Sequence, residues 1–245
     1  MTIASVEKEA FMTIASVEKK APLLFSQWRP ILALVAVLSM LILCASFVQD
    51  LGLYAGREPD LSTKIWLLDV DVERSAFTWV SVLVLFFCSG LLFQCGDDAA
   101  GRSSQFTWHW YFLGFLFLLL CFDEFTGLHE KLSAALAARA TNTGLLYFAW
   151  AAPAGILSLV GLAAFVPFIR SFPASLAVLL AVSAALFLGG AVGLEMVGGS
   201  VAEAEGMESL RYRMLANIEE GLELAGTLTF IYALLSYREI TSRTR

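Results

Sequence analysis

Six runs of about 20 mostly apolar residues, parted by short polar breaks, constrain this chain more than any other feature. A hydrocarbon layer of ~30 Å is crossed by about 20 residues of helix. The runs extend from about Pro30 to Tyr54, Ala76 to Cys95, Phe106 to about Ala135, about Leu145 to Ile169, about Pro173 to Val197, and about Leu210 to Tyr237. Hydrophobic residues make up 58% of the chain and charged ones 16%, against roughly 45–50% and about 25% in soluble domains. A single core surrounded by water cannot hide so much Leu, Phe and Val. The expected fold class is therefore all-α, a polytopic membrane helix bundle.

The rest of the chain adds no second domain. Residues 1–29 form an expected cytoplasmic segment in which MTIASVEK occurs twice, at Met1–Lys8 and Met12–Lys19, too briefly to build a repeat architecture. Residues 30–238 are the bundle and 239–245 a short tail. Arg29, Arg102, Arg170 and Arg238 border the spans on the side that holds both termini, which favours cytoplasmic termini in a bacterial inner membrane. A net charge of −6 without a basic patch excludes nucleic acid as a partner. The acids Asp69, Asp71 and Glu73 lack the glycine and spacing of a calcium loop and are expected in a solvated outer segment. Cys44, Cys88, Cys95 and Cys121 form no metal-finger spacing and are expected to be buried thiols.

Two spans are too short without their acids. In the third, the strictly apolar stretch Trp110–Phe122 holds 13 residues, or ~20 Å of helix, so the crossing must include Asp123 and Glu124. In the sixth, only Leu224–Tyr237 remains after Glu223, which draws Glu219, Glu220 and Glu223 to membrane depth. Glu195, near the end of the fifth span, joins them. A charged residue at the helix centre costs ~2.5–3.5 kcal/mol on insertion scales, so such groups face the bundle interior and find a partner. At about 100° per residue, Asp123 and Glu130 are nearly eclipsed and Glu219 shares a face with Glu223, whereas Glu124 and His129 flank opposite sides of Asp123.

These residues nominate an intramembrane site of Asp123, Glu124, His129, Glu130, Glu195, Glu219, Glu220 and Glu223. Carboxylates with one imidazole suit Fe, Mn or Zn, so one or two divalent metals are the expected cofactor. Metal-activated chemistry on a lipidic substrate would follow. No Glu-x-x-His motif of the ferritin-like di-iron type is present. Two other readings stand beside this one: proton- or cation-coupled transport, and a non-catalytic accessory subunit of a larger membrane complex, holding a pigment, a lipid or a helix of a membrane-protein partner. His109, in TWHWY, lies ~21 Å from Asp123 along the helix and reads as part of an aromatic belt. The glycines Gly189, Gly190 and Gly193 read as packing, or as a local break beside Glu195.

The segments LCFDEFTGLHEKL, GLEMVGG and IEEGLELAG resemble a set of bacterial multi-pass membrane proteins with DE-x4-HE, GLE-x2-GG and EE-x2-E segments. The resemblance covers roughly Phe117 to Tyr237. It implies that the polar residues form one site and implies no activity.

Overall fold

The computed structural model describes residues 28–56, 59, 61–139 and 142–243; the MTIASVEK repeat lies outside them. Seven helices occur among the described residues and no strand: α1 (Trp28–Tyr54), α2 (Ala76–Gly101), α3 (Thr107–Thr126), α4 (Leu128–Ala137), α5 (Ala151–Ile169), α6 (Ala174–Glu205) and α7 (Leu210–Arg243). The chain divides into two compact units, Met1–Val35 and Ala36–Arg245. The described part of the first is the opening of α1, where the Arg29 guanidinium lies 5.2 Å from the Trp28 ring centre. Everything below concerns the second unit.

Five helices, α1, α2, α3, α5 and α6, are long and apolar enough to cross a membrane. The chain is an integral membrane protein of helix-bundle architecture. The sixth expected span, α7, is 34 residues long but carries Arg213, Glu219, Glu220 and Glu223 in its first half. Its second half is buried by neighbouring helices at Phe230, Ile231, Ala233, Leu234 and Leu235. It is thus the internal helix, covered by protein where the other helices expose Leu, Val and Phe.

The third expected run is two helices rather than one. Gly127 adopts φ 56°, ψ 46°, and its N–H donates to Asp123 O at 2.8 Å, closing α3. Glycine enters this left-handed conformation without the steric cost other residues meet. The chain turns there and restarts as α4, so Asp123 and Glu124 stay in the span while His129 and Glu130 lie beyond the turn.

α6 is continuous through Gly189–Leu194, which winds as a π-helix. Of the expected alternatives, packing is met at Gly190, and the helix widens without breaking. Gly190 lies so close to α7 that an added Cβ would sit 2.8 Å from Glu219 O and 2.9 Å from Glu223 Cγ. One turn of π-helix is a frequent device at functional sites, and here it brings α6 against the acidic turn of α7.

Serine hydroxyls clasp the crossings: Ser89 Oγ donates to Gly114 O between α2 and α3 at 2.7 Å, and Ser183 Oγ to Gly226 O between α6 and α7 at 2.8 Å. At the Gly226 crossing an added Cβ would stand 2.6 Å from Phe187 N and 2.9 Å from its Cα. Backbone cannot yield as a side-chain tip can, so Gly226→Ala is expected to destabilise the bundle by about 1–3 kcal/mol, the usual range for overpacking. Gly221→Ala, whose methyl would meet only Leu43 side-chain atoms at 3.8–4.0 Å, is expected to be neutral. Thermal unfolding of both variants in one detergent measures the difference.

Candidate functional site

Between α3, α4, α5, α6 and α7 lies an open chamber of about 940 Å³. All eight residues nominated from the sequence line it, together with Asp71 and Glu73 from the α1–α2 connection. Apolar and aromatic side chains, among them Leu116, Leu120, Phe148 and Phe187, complete the wall.

The Gly127 turn folds His129 back onto Asp123. The His129 N–H donates to Asp123 Oδ1 at 2.8 Å, and His129 Nδ1 lies 2.9 Å from Asp123 Oδ2. The His129 ring also packs on Trp150, with centroids 5.0 Å apart. The indole N–H of Trp150 donates to Glu195 Oε1 at 2.6 Å. The Glu195 and Glu219 carboxyls face each other across the α6–α7 crossing. Two carboxyls can share a hydrogen bond only if one proton lies between them. The Glu73 carboxylate occupies the space a side chain on Gly127 would need, so glycine serves there for both its φ and its lack of Cβ.

Glu124, Glu220 and Glu223 also border a smaller inner cavity with Ser81 and Thr227. Its volume of about 10 Å³ matches one water molecule. Seven of the eight nominated residues therefore face one space through different neighbours: Asp123 with His129, Glu195 with Trp150 and Glu219, and Glu124 with Glu220 and Glu223; Glu130 lines the same space apart from these groups. Among the described residues, no group of three or more His, Cys, Asp or Glu side chains is placed to hold a metal ion.

A second polar assembly borders the chamber, and it corrects the expectation that Asp69 and Asp71 are solvated. Asp69 is fully buried. It forms ion pairs with Arg213 of α7 and, at 2.5 Å, with Lys64. Arg213 also meets Asp71 at 2.5 Å and Asp50 of α1 at 3.4 Å. Asn217, one turn beyond Arg213, donates to Asp50 Oδ2 at 2.7 Å, and Lys64 donates to the Tyr54 hydroxyl at 2.9 Å. Three aspartates thus face two cations, and the connection that holds Asp69 and Asp71 is tied to α7 by charge.

Burial disfavours the Lys64 ammonium, yet the hydrogen bonds it donates to Asp69 and Tyr54 hold its pKa above the ordinary lysine range. For Asp71, burial outweighs the Arg213 guanidinium and pushes the carboxyl up to about 7. The signal for this assembly was legible in part: Asp50 is the one charged residue of its apolar run, and Arg213 and Asn217 share a helix face. What paired them, across more than 140 residues, was not.

His109 packs as expected among aromatic rings, 5.2 Å from Phe106, 5.1 Å from Phe165 and 5.3 Å from Phe168. Cys88, Cys95 and Cys121 are buried thiols, but Cys44 is exposed on α1, whose surface in this region is itself apolar.

A family model described as "Domain of unknown function (DUF8692)" matches residues 31–237, and the chain belongs to that family. No curated protein and no solved structure matches it.

Two measurements probe the Arg213 assembly. Arg213→Met leaves Asp50 and Asp69 buried without their main counter-charge, and the expected loss of stability is about 3–5 kcal/mol, the range for breaking a buried pair. The raised pKa of Asp71 means that the folded state binds more protons than the unfolded one between about pH 4 and 7, so Asp71 contributes a loss of stability as pH rises through that window. Chemical denaturation across that window should show a shallower pH slope in Asp71→Asn than in wild type.

Proposed function

We propose that this member of the DUF8692 family binds a cation in its acidic chamber and releases protons as it does so. The observation that carries the reading is the chamber itself: nine carboxylates and one histidine line its wall, with no Lys or Arg among them. So many like charges cannot all remain ionised around one space, and either protons or a bound cation must compensate them. A proton shared between the facing Glu195 and Glu219 carboxyls would be displaced by an arriving cation.

The volume of about 940 Å³ lies in the range of sites for organic molecules and greatly exceeds what one metal ion needs. An organic cation is favoured over the expected Fe, Mn or Zn centre because Asp123 and Glu195 are engaged by His129 and Trp150 in separate pairs. An organic ammonium group, which accepts carboxylates at several distances and angles, suits the wall better. Beyond Thr227, α7 presents Phe230, Ile231 and Leu234 buried against its neighbours. That apolar half favours a binding chamber over a continuous ion path.

Titration of ethylammonium, Mn²⁺ and Zn²⁺ into the protein in nanodiscs, in weak buffer with a pH indicator, tests the reading. Saturable ethylammonium binding with release of about one proton per site is expected, with affinity rising as pH rises. The double variant Glu195→Gln, Glu219→Gln should lose the proton release and bind at least tenfold more weakly. Absence of saturable binding by all three cations, or binding that ignores pH, would remove the proposal. Saturable binding by the metals alone would restore the metal reading in its place.

A further inference from the structure

The chamber has a side as well as an acidic end. α3 and α5 are joined by aromatic rings at one level, where His109 and Phe112 meet Phe165 at 5.1 and 5.8 Å. They are bridged again past the other end of α3, where His129 meets Trp150. Between these two levels the facing residues of the helices are chamber wall: Leu116 and Leu120 on α3, Leu157 and Ser158 on α5.

Leu116 is 36% and Leu157 71% exposed. A residue that lines a chamber and is also exposed marks its mouth. Leu116 is the tenth of the 20 residues of α3, ~15 Å from either end at 1.5 Å per residue, so this mouth lies at mid-length of the span. Asp123 follows seven residues later, ~10 Å further along the helix.

From this arrangement we infer that the chamber opens sideways to the bilayer between α3 and α5 and takes an amphiphile, with a primary ammonium head among the carboxylates and an alkyl chain leaving past Leu116 and Leu157. The inference rests on the cation-binding reading and adds the class of ligand. Charge selects the head: nine carboxylates and no Lys or Arg line the chamber. Position selects the tail: a mouth at mid-length of the span is reached by hydrocarbon, whereas a hydrated small ion would have to cross lipid to use it. The apolar wall residues let a chain pass without exposing it to the acids.

A 12-carbon primary amine with a mid-chain diazirine, photolysed with the full chain in phosphatidylcholine nanodiscs, tests the inference by peptide mapping. Labelling should concentrate on the facing stretches of α3 and α5 around Leu116 and Leu157. Excess dodecylammonium should reduce it at least fivefold and dodecanoate should not. The double variant Leu116→Trp, Leu157→Trp, which fills the mouth, should lose labelling to a similar degree.

Even labelling of all lipid-facing helices, equal competition by dodecanoate, or labelling that survives in the tryptophan variant would each overturn the inference. If ethylammonium still binds with proton release under those outcomes, the lateral mouth falls and the cation-binding reading stands. If ethylammonium does not bind, both fall together.

Discussion

Arg213 is the point on which much of the structure depends. A guanidinium buried in a helix bundle is tolerable only when fully compensated, and here Asp50, Asp69 and Asp71 surround it from two other parts of the chain. The consequence reaches beyond stability. By holding the α1–α2 connection against α7, the pairing carries Asp71 and Glu73 to the chamber wall. A connection that would otherwise be an outer loop becomes part of the site.

Two departures from regular helix complete the chamber. The left-handed Gly127 ends α3 immediately after its acids and returns His129 to Asp123. The π-helical turn at Gly189–Leu194, with Gly190 against the α7 backbone, lets Glu195 reach Glu219. In both places a glycine removes a side chain where a carboxylate or its backbone needs the room. The acids are thereby held in pairs with different partners, and a chamber results where a compact metal cage would need them to point at one spot.

The nomination of the eight site residues rested on a length argument. Apolar stretches of 13 and 14 residues cannot cross a bilayer, so their acids had to lie at membrane depth. α3 ends at Thr126, with Asp123 and Glu124 inside it, and the acids of α7 face the interior. The same argument could not see the turn at Gly127, because a glycine in an apolar context is also an ordinary packing residue. It misjudged Asp69 and Asp71 for a related reason: alternating acids look the same whether water or a distant arginine compensates them.

Composition and run length by themselves determined that this chain is a helical membrane protein and that its acids belong to the bundle interior, because the cost of exposing polar groups to hydrocarbon depends only on which residues a span must contain. Which acid meets which partner was decided by tertiary structure alone. Asp50 and Asn217 are 167 residues apart, and Trp150 and Glu195 are 45 apart. Helical periodicity gives each residue a face, but the pairing of faces follows from how the helices cross, and those crossings are set by contacts such as Gly190 on α7 and Arg213 on Asp69.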